Sequence, residues 1–160
     1  MALLEDIVLT DSIEIKTTPE RIFNFLTGLV DDESYRAWHR DDHVSLRWVK
    51  GRPWEEGSVA YAKEYLHGKI HRLKFMVTKV VTNKEIEYAP VSRLLRRYFP
   101  KNRFFIEQRG ETCVFRASGI FRHGWVVKTF FKKQLQQNLA SVKSHMKEEG
   151  QNLKKILENG

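Results

Sequence analysis

Near the C-terminus, His145-Met-Lys-Glu-Glu149 sets an imidazole and a carboxylate four residues apart. At about 100° per residue, such a pair projects from neighbouring turns of one helical face. With Leu135 as reference, Leu139, Val142, Met146, Leu153 and Leu157 form an apolar stripe. Glu149 then falls about 40° and His145 about 80° to one side of it. A polar row flanking a buried stripe looks into whatever space lies beneath the helix; the other reading is a surface pair on a charged face. A second carboxylate, Glu64, lies in an alternating segment that puts Ala60, Ala62, Glu64 and Leu66 on one face and Tyr61, Lys63, Tyr65 and His67 on the other. If the small face is inside, its carboxylate needs a cation, a metal or a proton. A third group, Trp38-His39-Arg40-Asp41-Asp42-His43, is dense in possible ligands. Two histidines from separated segments and two carboxylates are the donor inventory of a catalytic zinc. Spacing does not show that they converge, and His71 and His123 are further imidazoles for such a site or for the sheet.

Other chemistries drop out. No Gly-rich phosphate loop or G-x-S-x-G elbow is present, and the lone Cys113 falls in an expected strand, where it packs. One cysteine forms no intrachain disulfide and no Cys-rich zinc module. The acidic start, MALLEDIVLTDS, does not resemble a signal peptide, and no stretch approaches the roughly 18 apolar residues of a membrane span. A cytoplasmic protein is expected. The net charge of +8 is concentrated in Arg93, Arg96, Arg97, Lys101 and Arg103 and in Lys128, Lys132 and Lys133. A solvated face explains them most simply, and without a recognised motif nucleic-acid binding is not expected.

The elements that must position these groups follow from periodicity. The 160 residues, 41% hydrophobic and 30% charged, suit one domain over 1–160. Ile13 and Ile15 alternate with polar residues, and Thr18-Pro19 opens a helix over Glu20 to Leu29. Tyr35 to His43 reads as loop or helical turn, with a strand following through Val44, Leu46 and Trp48. Paired strands over Ser58 to His67 and Lys69 to Val81, a short strand at Ile86 and Tyr88, a helix over Ser92 to Phe99 and a hairpin across Gly110-Glu111 come next. From Trp125 to Leu157 no proline intervenes, so one long amphipathic helix is expected, with Gly150 its weak point. This order is α+β: a curved antiparallel sheet under a long terminal helix, with an enclosed, partly polar cavity between them.

Ile13-Glu-Ile-Lys-Thr-Thr-Pro-Glu-Arg-Ile-Phe-Asn-Phe25, the Trp54-Glu-Glu-Gly57 turn and the long terminal helix resemble the START-like and polyketide-cyclase superfamily, with its helix-grip fold. A narrower resemblance, to the 2,4-diacetylphloroglucinol hydrolase group, implies a zinc held by a histidine, a strand glutamate and a His-x-x-x-Glu pair on the last helix. The matching positions are His39 or His43, then Glu64, His145 and Glu149. Those hydrolases carry a further N-terminal region with no counterpart here, so their substrate is not carried over.

The expectation is a zinc-dependent hydrolase of a carbon–carbon bond beside a ketone on an aromatic or polyketide-like small molecule, with Tyr61, Tyr65 and His71 as candidate proton donors. The rival is a metal-free carrier of a lipid or aromatic metabolite, whose basic segment at Arg93 to Arg103 could touch an anionic membrane or an acidic ligand group.

Overall fold

A computed structural model describes residues 4–159, so residues 1–3 and 160 of the expected domain lie outside it. Seven antiparallel strands form one sheet: β1 (Glu5–Ile15), β2 (His43–Lys50), β3 (Val59–Leu66), β4 (Lys69–Val81), β5 (Glu85–Pro90), β6 (Lys101–Arg109) and β7 (Thr112–His123). Their spatial order is β1-β7-β6-β5-β4-β3-β2. β1 and β2 therefore lie on opposite edges, and the chain between them crosses the sheet as two helices, α1 (Pro19–Thr27) and α2 (Asp32–Trp38). A short α3 (Arg93–Tyr98) joins β5 to β6, and α4 (Trp125–Phe130) and α5 (Lys132–Asn159) end the chain. The expected α+β architecture, with a long terminal helix over a curved antiparallel sheet, is the one observed.

Local chemistry explains the boundaries. The Thr18 side chain accepts from Arg21 N, with proline just inside α1. Of the segment expected as loop or helical turn, Tyr35 to Trp38 completes a helix over 32–38 and residues 39–42 are turn; the helix forms because Asp31 and Ser34 make a reciprocal capping box and Tyr35 and Trp38 bury one face. Both Trp48 and Trp54 donate their indole N–H to Leu29 O, at 3.1 and 2.9 Å, which fixes the exit from α1. Register shifts between His43 and Ser45, Trp48 and Lys50, and Val77 and Lys79 bend the sheet.

The single helix expected from Trp125 to Leu157 is two. Phe131, at φ −122° and ψ 27°, closes α4 and α5 restarts after it. Gly150, the anticipated weak point, lies within continuous helix, at the place where α5 approaches β1 closely. A Cβ on Gly150 would stand 3.2 Å from Ile13 Cγ2. Gly150→Val is expected to overpack this contact and cost about 2 kcal/mol, read as a lower urea midpoint with an unchanged slope. The core gathers Ile15, Ile22, Leu26, Ile86, Phe115 and Leu153, so the buried part of α5 is its C-terminal half.

Candidate metal centre

The chemistry collects where α2, the start of β2, the middle of β3 and the C-terminal half of α5 meet. His43 opens β2 at a bulge and is paired in register with Glu64 on β3, so the two side chains share a face. Ala60 and Ala62 are buried, which settles that this face of β3 is the inner one. α5 brings His145 and Glu149 across it.

His43 Nε2 lies 3.1 Å from Glu149 Oε2, and His145 Nε2 lies 3.3 Å from Glu149 Oε1 and 3.8 Å from Glu64 Oε2. One ligand atom each from His43, Glu64 and His145 falls within 4.8 Å of the others. His43, His145 and Glu149 are buried, and Glu64 is partly so.

The outer nitrogens define the tautomers. His43 Nδ1 is 2.9 Å from Tyr35 O; a carbonyl only accepts, so Nδ1 carries the hydrogen and Nε2 faces the carboxylate. His145 Nδ1 donates to Asp42 Oδ2 at 2.8 Å, again leaving Nε2 directed inward. Each imidazole thus has its back nitrogen held by an oxygen acceptor, the arrangement that orients and strengthens histidine ligands. His39 is arranged the opposite way. Its Nδ1 accepts from Asp42 N at 3.2 Å, so Nε2 carries the hydrogen and donates to Glu148 Oε2 at 2.9 Å. Both of its nitrogens are used. Between the alternatives His39 and His43, the cluster contains His43. His39 stands on the outer side of His145, stacked on it at 5.3 Å, in a second group with Asp42 and Glu148. That group borders a groove of about 520 Å³ between the end of α2 and α5.

Electrostatics follow the packing. Burial opposes the charge on His145, but Glu149, then Glu64 and Asp42, outweigh it and raise its pKa to about 10. Burial would raise Glu149, yet His145 and His43 hold its carboxyl well below the usual carboxylate range. Without a metal, this is a buried ion pair.

Tyr35 is the residue the sequence reading passed over. Its hydroxyl donates to Glu64 Oε2 at 2.7 Å, and its ring stacks on His43 at 3.8 Å with a 1° interplanar angle. Burial, then Glu64 and Glu149, push its phenol well up, so it stays protonated at neutral pH. The capping-box residues Asp31 and Ser34 were the available signal, since a helix over 32–38 aims Tyr35 and Trp38 along one side. Asp42 was also unassigned, although it lies inside the noted His39–His43 run. Tyr61, Tyr65 and His71, expected as proton donors, are not brought to the cluster. With Ala60 and Ala62 inward, alternation turns Tyr61 and Tyr65 outward, and Tyr65 is exposed. His71 sits opposite Glu64 in register, but its exposed ring is bonded to Leu66 O and packed beside His67. His123 ends β7 beside Glu5 on β1, away from the cluster.

Trp38, Phe104, Tyr88 and Phe75 continue from His43 as a run of packed core rings, with successive centroids 5.0–5.8 Å apart. Trp38 also donates Nε1–H to Glu149 O at 2.9 Å, tying α2 to α5.

No protein-family model matches this chain, and no curated protein matches it in sequence. Solved structures do match in shape. The KanY protein superimposes with TM-score 0.71 at 14% identity, over 96% of this chain and 99% of its own. Norcoclaurine synthase from Thalictrum flavum, in complex with dopamine and hydroxybenzaldehyde, gives 0.66 at 12% over 99% and 88%. Major latex-like protein 151 from Panax ginseng gives 0.61 at 12% over 88% and 97%. This chain has the helix-grip fold. In it, the long helix carries His145 and Glu149, and the sheet carries His43 and Glu64. Among the described residues, no helix is long and apolar enough to cross a membrane.

Proposed function

We propose that this helix-grip protein is a zinc-dependent hydrolase acting on a carbon–carbon bond beside a ketone of an aromatic or polyketide-like small molecule. The observation that carries the reading is the convergence of two inward Nε2 atoms on Glu149 and Glu64. A neutral His43 would turn a lone pair at a carboxylate oxygen 3.1 Å away, and such a pair needs a proton or a cation between its members. Two neutral imidazoles and two carboxylates match a divalent ion in donor type and in charge. His43, Glu64 and His145 would hold the metal, with Glu149 completing the set. When bound, the metal supplies Lewis acidity, polarising a carbonyl and bringing the pKa of water towards neutrality.

The remaining roles belong to the protein. Tyr35, neutral and held on Glu64, would give a proton to the departing carbon. Asp42 and the Tyr35 carbonyl keep both imidazoles in the tautomer that presents Nε2. Trp38, Phe104, Tyr88 and Phe75 back the cluster with packed rings that exclude water and would favour flat apolar ligands beside it. That a protein of the same fold holds dopamine and hydroxybenzaldehyde supports an aromatic ligand class.

The test is the metal content and turnover of protein prepared without chelator or nickel resin. About one equivalent of zinc is expected, together with release of the acyl fragment as a carboxylic acid from some member of a panel of ring-C-acylated phenols. Protein that takes up no divalent metal but binds those phenols would instead be a carrier. With the best substrate and zinc in excess, Tyr35→Phe is expected to lower kcat about a hundredfold; because the lost hydroxyl holds Glu64, zinc affinity should fall about tenfold.

A further inference from the structure

The described end of the sheet opposite in chemistry to the metal centre is both basic and apolar at its surface. α3 enters β6 at Lys101, which is in register with Ile120, and α4 leaves β7 just after His123. Phe99, the C-cap of α3, packs edge-on against Phe121 at 5.2 Å. The two short helices are thereby brought to the same end of the β6–β7 pair, next to the first turns of α5.

Their large apolar side chains face outward. Leu94 is 66% exposed, Phe131 57% and Val126 53%, and Leu95, Tyr98, Phe99 and Val127 are exposed as well. Apolar side chains gathered in one exposed patch mark a surface that meets a partner. Basic residues accompany them. No Asp or Glu occurs over 88–106 or 112–147. Lys128 is paired with Glu5, Lys101 with Glu87 and Arg103 with Glu85. Arg93, Arg97, Lys132 and Lys133 are exposed and have no ion pair with a described residue.

We propose that this end of the molecule, α3 with α4 and the start of α5, docks on a lipid surface bearing anionic headgroups. Cations beside protruding Leu, Val and Phe side chains are the combination that lies in the headgroup and acyl boundary, with charge drawing the protein down and the apolar tips inserting. A second copy of the chain would bring the same positive charge onto itself. Nucleic acid would meet the cations but leave Leu94, Leu95, Val126 and Val127 without a partner, since single strands are held by aromatic stacking rather than aliphatic side chains.

The test is flotation of the full chain with vesicles of phosphatidylcholine alone and with about a third phosphatidylserine. Binding at least about tenfold tighter to the anionic vesicles is expected. Leu94→Asp with Phe131→Asp is expected to reduce that binding about tenfold or more, and Arg93→Glu with Lys132→Glu by a similar factor. Both pairs are exposed, so thermal melts should match wild type, and zinc content should be unchanged. Equal binding to both vesicle types would overturn the proposal. So would apolar substitutions that leave vesicle binding intact while a short RNA binds more tightly than lipid, or a wild-type dimer in sedimentation that the aspartate pair dissociates.

Discussion

Alanine at His145 is expected to weaken zinc binding on the order of a thousandfold. Structural zinc sites contribute roughly 10–16 kcal/mol over four ligands, so each donor carries about 2.5–4 kcal/mol, equivalent to roughly a hundredfold to a thousandfold in affinity. The same loss is expected for His43→Ala, because its Nδ1 is committed to Tyr35 O and only Nε2 faces the cluster. His39→Ala is expected to change affinity by less than about threefold, since both ring nitrogens are already occupied, by Asp42 N and Glu148. Asp42→Asn should fall between them, at about ten- to a hundredfold, as the partner behind a ligand. Competition against a chromophoric chelator at fixed pH measures all four. A loss at His39 equal to that at His43 would show that the tautomers are assigned wrongly.

The metal-free protein should lose on the order of 3–5 kcal/mol of stability as pH rises from about 6.5 to 10. The sign follows from linkage. His145 has a folded-state pKa of about 10 against an ordinary 6.5. Its contribution is therefore complete below 6.5 and disappears as pH climbs through 10. Glu149 is shifted the other way, so its contribution holds above its ordinary 4.5 and is lost as pH falls further. The contribution of this pair to the metal-free protein is thus largest between about 4.5 and 6.5. Zinc reverses the trend on the alkaline side, because His145 must give up its Nε2 proton to bind and zinc affinity therefore increases with pH. Urea unfolding in chelator and in excess zinc, at about pH 6 and about pH 9, separates the two slopes. In Glu149→Gln the metal-free dependence should shrink, since the largest partner raising His145 has lost its charge. A flat profile in wild type would mean that the buried pair does not form.

The two predictions probe different features of one cluster. The first depends on which way each imidazole is turned, and the second on how strongly its charges are coupled when no metal is present. A protein that satisfied only the second would be a helix-grip fold with a structural ion pair under its long helix.

Much of this was determined by the sequence alone. Alternation in β3 named Glu64 and its small-residue neighbours, because a strand has only two faces and any odd step changes face. The helical period placed His145 and Glu149 on one edge of α5, since the angle per residue is fixed by backbone hydrogen bonding. Local geometry of that kind is written in the order of residues. What lies across space is not. Only the tertiary structure decided that β3 turns Ala60 and Ala62 inward, and with that choice sent Tyr61 and Tyr65 outward. Only the packing of α2 against α5 set His43 beside Glu64 and Glu149 and His39 beside Glu148, and turned their rings differently, one nitrogen meeting a carbonyl and the other an N–H. Tyr35 entered the site in the same way, through contacts to residues 8 and 29 positions along the chain. Periodicity reports the direction of a side chain relative to its own backbone; its hydrogen-bond partners are set by the elements packed against it.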